Sequence, residues 1–372
     1  MSNDLYDVAI VGAGPAGATA AVLLAQKGRR VVLVDRTTFP GDVARAGWLN
    51  ARCAPLLAEL GVTDKSLLAY PFRDVTFHRE DFSQTARPTF EDAPGYLIDR
   101  AQFDNALVSA AVDQGITFIQ GFRAADLLLR ESSVVVELAN GRRTESRLLL
   151  LASGRGTELL ERVGLVMGSH EAAVWAAQVD ALLRADAAPK DPYVGVFLGL
   201  DNAGSFGLCC VSPDQMSVSV SMTGEREEVI PALLRVCRQA FEHKFVPVDL
   251  SDRARSAAAI RSPASVALDM DSHVGKNVLV IGDAGGFVSA ASNEGIYPAM
   301  WSARIAVDVA DKALQNPCPQ DELMTFDSTW RMQMADYLRS PHTDIQFLLP
   351  LIFTNQPMAD RMGAAFFLGE NI

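Results

Sequence analysis

The chain has 372 residues, 49% of them hydrophobic, with a formal charge of -12 and five cysteines. That is ample for a large core in two lobes, and the acidity argues against nucleic acid, whose phosphates draw on surplus Lys and Arg. Cys53, Cys209, Cys210, Cys237 and Cys318 are an odd number without CxxC spacing, which implies neither a disulfide framework nor a zinc site and suits a reducing cytoplasm.

Residues 1–4 are short and polar, leaving no room for a secretory signal, and no apolar run approaches the length of a membrane span. Tyr6 to Val11 reads as a buried strand, and Gly12-Ala13-Gly14-Pro15-Ala16-Gly17 follows at once. This is GxGxxG in its required context: Gly12 for the tight turn, Gly14 for close approach of backbone to a pyrophosphate, Gly17 for helix-on-strand packing. The helix, Ala16 to Lys27, stops at Gly28, and its N-terminus offers unpaired N–H groups to the phosphates. Val31 to Val34 is a second strand closed by Asp35, where a carboxylate can take ribose hydroxyls. An acid there favours FAD or NAD over NADP.

Thr37 to Leu49 has turn chemistry at Pro40-Gly41 and reads as a loop in which Arg45 is free to reach a phosphate or a substrate. A helix spans Asn50 to Leu60. From Phe72 to Phe90 alternation suggests strands of a different sheet. Tyr96-Leu97-Ile98-Asp99-Arg100 then leads into a helix over Ala101 to Gln114, with Arg100 at the switch. Ile116–Ile119, Val134–Leu138 and Leu148–Leu151 read as strands, with a hairpin turn at Asn140-Gly141. Ala152-Ser153-Gly154 ends the last in small residues, a second place for backbone to lie against a ligand.

Residues 172–268 carry strand-like runs around a helical insert, Glu227 to Phe245. Ser217 to Ser221 alternates strictly and so predicts one wet and one buried face. Val278 to Ile281 is a buried strand followed by Gly282-Asp283-Ala284-Gly285-Gly286, and a long helix runs from Ile296 to about Leu314. Asp283 at a strand end can accept from ribityl hydroxyls, and the helix start at Gly295-Ile296 aims N–H groups at a flavin edge that gains negative charge on reduction. Helices continue to about residue 340, before the apolar stretch Phe347–Phe353, which reads as packed or at a subunit interface. The five histidines, 78, 170, 243, 273 and 342, show no ligand spacing, and Lys65 and Lys190 read as surface.

With these pieces placed, the sequence resembles the FAD-dependent oxidoreductases of the geranylgeranyl reductase, aromatic hydroxylase and flavin-dependent halogenase superfamily. The resemblance rests on the glycine motif with Asp35, on YLIDRAQFD (96–104) with Arg100, and on GDAGGFVS (282–289) with Glu294-Gly295-Ile296-Tyr297. It implies an α/β fold: a glutathione-reductase-type, Rossmann-like FAD-binding domain (1–71, 96–171, 269–318), an inserted mixed or antiparallel β-sheet substrate domain (72–95, 172–268), and C-terminal helices (319–372). The cofactor contacts it implies are Gly12, Gly14, Pro15, Ala16, Gly17, Asp35, Arg36, Arg45, Ala46, Arg100, Gly154, Gly282, Asp283, Gly295 and Ile296. No catalytic residue is singled out.

Three positions depart from the family pattern. Ser153 stands where hydroxylases carry an aspartate, Ala290 replaces a proline and Asn293 a glycine. The reductase Trp-Phe-Pro signature is reduced to Phe206–Val211, and the halogenase signature is absent. The resemblance implies first a monooxygenase acting through a flavin C4a-peroxide on an electron-rich substrate, small, carrier-bound or part of a protein, with NAD(P)H as transient reductant or a separate flavin reductase. It implies second a geranylgeranyl-reductase-like enzyme reducing C=C bonds. The third reading is a flavoprotein that binds or matures a partner protein, as in quinone-cofactor maturation.

Overall fold

The computed structural model describes residues 5–41, 46–156, 158–166, 174–200, 204–262, 265–339 and 345–370. In chain order the elements of the first half are β1 (Leu5–Val11), α1 (Pro15–Gln26), β2 (Val31–Val34), β3 (Ala46–Asn50), α2 (Cys53–Glu59), β4 (Tyr70–Phe72), β5 (Asp74–Arg79), β6 (Thr85–Ala86), β7 (Gly95–Asp99), α3 (Arg100–Asp113), β8 (Thr117–Ile119), β9 (Ala124–Leu129), β10 (Val134–Leu138), β11 (Arg143–Leu151) and α4 (Glu158–Arg162). There follow β12 (Val174–Leu182), β13 (Tyr193–Leu198), β14 (Phe206–Val211), β15 (Gln215–Thr223), α5 (Val229–Glu242), α6 (Ser251–Arg255), β16 (Ile260–Arg261), β17 (Val274–Gly275), β18 (Val278–Val280), α7 (Ile296–Gln315), α8 (Pro319–Leu323), α9 (Thr325–Leu338), α10 (Ile345–Thr354) and α11 (Gln356–Leu368).

The first sheet runs β17-β18-β11-β1-β2-β8, and the β9–β10 hairpin pairs with the first half of β11. Strands β18, β11, β1, β2 and β8 are parallel neighbours. The unbroken apolar runs of β1, β2 and β11 are explained by cover on both faces. Val8, Ile10, Leu33, Leu148 and Leu150 pack under α1, α3 and α7, whereas Ala9, Val11, Val32, Leu149 and Leu151 pack under the hairpin and α4. A side chain such as Leu24, with no exposed surface, contributes roughly 2 kcal/mol by burial alone.

The second sheet runs β16-β12-β15-β14-β13-β5-β6 and is antiparallel except at β13–β5. One face packs on the amphipathic α5. The other meets Trp48, Phe72 and the C-terminal helices through Leu348, Ile352 and Phe366. No described helix is long and apolar enough to cross a membrane.

Several expectations need correction. The loop placed over 37–49 ends in a strand: β3 pairs antiparallel with β7, Ala46 opposite Asp99 and Asn50 opposite Gly95, and β4 joins them in a small third sheet. The helix expected from Asn50 starts at Cys53, because the Asn50 side chain accepts from the Arg52 amide at 2.9 Å and turns the chain first. β9 passed unpredicted. The serine face of β15 is not wet: Ser217 and Ser221 are 3% and 7% exposed, and Ser221 Oγ accepts from Asn293 Nδ2 at 2.5 Å. Alternation marks two faces but not what covers each. Phe347–Phe353 lies within α10, with Pro350 inside the helix, Leu348 and Ile352 buried and Phe347 79% exposed. Arg45, His170 and His342 lie outside the described residues.

Candidate functional site

Parallel strands bring their carboxyl ends to one edge, about 5 Å apart per neighbour, and the expected residues follow those ends. Asp35 follows β2, Gly12 follows β1, Ala152-Ser153-Gly154 follow β11, and Asp283 follows β18. The three glycines of the first turn have three separable roles. Gly12 has φ +105°, and a Cβ on it would come within 2.0 Å of the Ala152 carbonyl oxygen. A Cβ on Gly17 would come within 1.8 Å of the Gly12 carbonyl oxygen. Gly14 has φ -70°, acceptable to any residue, and nothing lies within 4 Å of where its Cβ would stand. Gly14 is thus dispensable to the fold and leaves space at the N-terminus of α1.

That space is a cleft of about 270 Å³ lined by Gly14, Pro15, Ala16, Arg100, Ala152, Gly154, Asp283, Asn293, Gly295, Ile296 and Ala299. A second cavity of about 90 Å³ lies at Gly12, with Asp35, Arg36, Arg123, Ala124, Ser153 and Glu158 around it. Both lie along the Gly12–Gly17 turn, the smaller at Gly12 and the larger at Gly14, Pro15 and Ala16. Of the expected contacts, Gly17 and Gly282 support the turns from beneath. A Cβ on Gly282, at φ +62°, would press on Ala16 Cβ at 2.8 Å. Ala46 belongs to β3.

Asp35 takes the Ala13 amide at 2.6 Å and the Thr37 amide at 2.7 Å, one on each oxygen, which fixes the carboxylate and leaves lone pairs for further donors. The Arg100 guanidinium reaches Asp104 only at 3.3 Å, and its buried Nε has no hydrogen-bond partner. Burial raises the Asp104 carboxyl, against the pull of Arg100. Gly47 makes way for Arg100, whose Cγ lies 3.1 Å from where a Cβ would be. An orphaned donor on a cation beside a helix N-terminus suits an anion.

Burial pushes Asp283 up to about 6, with Arg100 and Arg155 pulling the other way. The turn that carries it is clamped from behind: His273 Nε2 meets the Gly285 carbonyl at 2.7 Å, and Asp327 takes the His273 amide at 3.0 Å. Burial raises the Asp327 carboxyl, but hydrogen bonds from His273, Ser272 and Trp330 outweigh it and hold it at about 2. Asn293 adopts φ +53°, as a residue replacing glycine must, and Asn bears that conformation with little penalty.

The N–H groups at the start of α7 are only partly open. The Tyr297 amide is taken by Glu294 Oε1 at 2.7 Å. Arg123 escaped the sequence reading. It follows β8, which lies beside β2 and delivers its loop to the same edge, and that adjacency would have exposed it. The cradle over Gly14, the unpaired Arg100 Nε and the fixed Asp35 together fit FAD.

On the far side of the turn 289–295 lies a smaller cavity of about 40 Å³, walled by Ala290 and Ala291, by Leu198 and Phe206 of the second sheet, and by Leu349, Met362 and Phe366 of α10 and α11. None of its lining side chains is ionisable, and Ser205 Oγ accepts from the Thr223 amide at 3.1 Å.

Among curated relatives, the digeranylgeranylglycerophospholipid reductase of Methanocaldococcus jannaschii is 24% identical over 91% of this chain and 85% of its own length. The menaquinone reductase of Mycobacterium tuberculosis is 27% identical over 83% and 77%. The 1H-pyrrole-2-carbonyl-[peptidyl-carrier protein] chlorinase of Pseudomonas fluorescens is 24% identical over 85% and 78%. The fold is shared with a geranylgeranyl bacteriochlorophyll reductase-like protein of Thermoplasma acidophilum (TM-score 0.73, 17% identity, 89% of this chain and 84% of that one) and with 2-methyl-3-hydroxypyridine-5-carboxylic acid oxygenase (TM-score 0.72, 16% identity, 99% and 98%). Residues 5–305 match the FAD binding domain family, and the chain belongs to that family of FAD-dependent oxidoreductases.

Proposed function

We propose that the protein moves an electron pair between FAD and an uncharged, apolar part of its substrate, and that the reaction is reduction of a carbon–carbon double bond. The observation that carries this reading is the single turn, 289–295, with the 270 Å³ cleft on one face and the apolar 40 Å³ cavity on the other. A charge placed among Leu198, Phe206, Met362 and Phe366 would go uncompensated, and no lining side chain is a base that could activate a phenol. The relatives named as digeranylgeranylglycerophospholipid and menaquinone reductases support the same direction.

In this reading Asp35 holds the adenosine ribose, Arg100 and the α1 amides the pyrophosphate, and Asp283 the ribityl chain. The Gly295-Ile296 backbone faces the ring, with residues 1–71, 96–171 and 269–318 as the cofactor domain. FAD supplies the electron pair; the protein binds, orients and excludes water. Oxygen insertion is the second reading, favoured by the fold shared with the pyridine-carboxylic acid oxygenase. A carrier-bound substrate draws support from the chlorinase relative.

The test is anaerobic reduction of the FAD-loaded protein with dithionite, followed by mixing with oxygenated buffer in a stopped-flow spectrophotometer. The reductase reading predicts slow, single-phase return of the oxidised flavin spectrum with release of hydrogen peroxide. A fast first phase with its own absorbance band, preceding that return, refutes it in favour of oxygen insertion.

A further inference from the structure

Glu294 belongs to the turn whose residues line both cavities and itself lines neither. It is 5% exposed. Its Oε1 accepts from the Tyr297 amide at 2.7 Å, and its Oε2 accepts from the Tyr337 hydroxyl at 2.9 Å. The Tyr337 oxygen in turn accepts from Asn50 Nδ2 at 3.1 Å, and the same nitrogen donates to the Phe367 carbonyl at 2.7 Å. Asn50 is wholly buried, and its Oδ1 is held by the Arg52 amide, which fixes the amide orientation.

A second contact lies at the same place. Gly369 closes α11 with φ +65°, and a Cβ on it would stand 2.3 Å from Tyr337 Cδ2, so the end of α11 rests flat on the Tyr337 ring. α11 is also the helix whose Met362 and Phe366 wall the apolar cavity against Ala290 and Ala291.

We propose that Glu294 is a positioning residue: through Tyr337 and Asn50 it latches the turn that faces the flavin cleft to the C-terminal end of α11, the wall of the neighbouring cavity. The role of that turn toward the ring rests on the flavin reading; the latch does not. Deletion of any link leaves a buried donor or acceptor unpaired.

The latch responds to pH. The groups facing Glu294 are Tyr297 on α7, Tyr337 on α9, Asp283 on the preceding turn and Cys53 on α2, with the Arg52 guanidinium 5.7 Å from the Tyr337 ring centre. The donors favour the carboxylate, but burial wins and pushes Glu294 up to about 7, from 4.5 in water. Unlatched and hydrated, it returns to its ordinary range. The latched state therefore binds the proton more tightly, is favoured as pH falls toward 6, and weakens as pH rises through neutrality. Between pH 6 and 8.5 that difference lowers the latching equilibrium about tenfold. In the protonated form either oxygen of the Glu294–Tyr337 pair can donate, so the contact survives.

Hydrogen exchange of the α11 amides, read by mass spectrometry on flavin-free protein at pH 6 and 8.5 and corrected for intrinsic rates, tests this. Wild type is expected to lose about tenfold in protection at the higher pH. Glu294→Gln, a neutral isostere, is expected to keep the pH 6 level at both; Tyr337→Phe and Gly369→Ala are expected to be weakly protected at both. Tyr337→Phe and Gly369→Ala proteins whose α11 amides are as protected as wild type at pH 6 overturn the latch; a wild-type profile flat between the two pH values, or a Glu294→Gln profile that still falls tenfold, overturns its pH response. Because flavin is absent, failure of the protein to take up FAD would condemn the flavin reading alone.

Discussion

The sharpest perturbation is Gly14→Asp, because Gly14 faces the open cleft and the fold does not require it. Its φ of -70° suits any residue, and its Cβ would enter open space in the 270 Å³ cleft, so the variant should fold and melt with wild type. What it adds is a carboxylate at the α1 N-terminus, where the proposed reading puts the pyrophosphate. Two like charges about 4 Å apart repel by about 4 kcal/mol at an effective dielectric of 20, which is roughly a thousandfold in affinity. Quenching of FAD fluorescence during titration measures the loss, and Gly14→Ala, which adds bulk without charge, should lose far less. By contrast Gly12→Ala and Gly17→Ala drive a Cβ into the Ala152 and Gly12 carbonyl oxygens and should destabilise the fold itself. A Gly14→Asp protein that binds FAD with wild-type affinity would refute the placement of the phosphates.

Other outcomes follow from the same geometry. Arg100→Met should weaken FAD binding by about 2 kcal/mol, near thirtyfold, in the same titration, and should also lower the melting temperature, because Asp104, 7% exposed, loses its cation. Asp283→Asn should split two readouts. A carboxylate raised by burial contributes stability below its unfolded value and loses it as pH rises through about 6, so the flavin-free variant should melt higher than wild type at pH 8, by something of order 1 kcal/mol, yet bind FAD less tightly. His78, 4% exposed among Phe82, Phe197 and Phe245, has no partner on either ring nitrogen. Burial, with Arg87 and His243 adding to it, lowers its pKa from 6.5 to about 4. The native state then holds fewer protons than the unfolded one, and stability should drop by up to about 3 kcal/mol as pH falls from 6.5 to 4. His78→Phe should flatten that part of the denaturation profile, and an unchanged slope would show that His78 is not its source.

The carboxyl edge of the first sheet was legible because its signals are local. The run Tyr6–Asp35 contains a strand, a glycine turn, a helix and a second strand with nothing intervening, and 278–296 repeats the logic with Asp283. Even Asn293 as a tolerated substitute for glycine was readable, since φ +53° asks only for a residue at ease in the left-handed region. What stayed hidden depends on partners far away in the chain. β3 exists only because β7 pairs with it, and its five residues AGWLN carry no alternation of their own. The serines of β15 alternate as a half-wet strand should, but the turn carrying Asn293 closes over them. Asn50, Glu294 and Tyr337 meet from β3, the α7 start and α9, and no spacing in the sequence connects them. Arg123 reaches the smaller cavity at Asp35 through the neighbouring of β8 and β2, which depends on strand order and not on composition.

The most direct test of the account is equilibrium binding of FAD, FMN and riboflavin to the purified chain. If Asp35, the α1 amides and Arg100 hold the adenosine and pyrophosphate as proposed, one FAD per chain should bind at least a hundredfold more tightly than FMN, with riboflavin weaker still. FMN binding as well as FAD, or no uptake of either, would contradict the claim that one extended dinucleotide lies along the carboxyl edge of the first sheet.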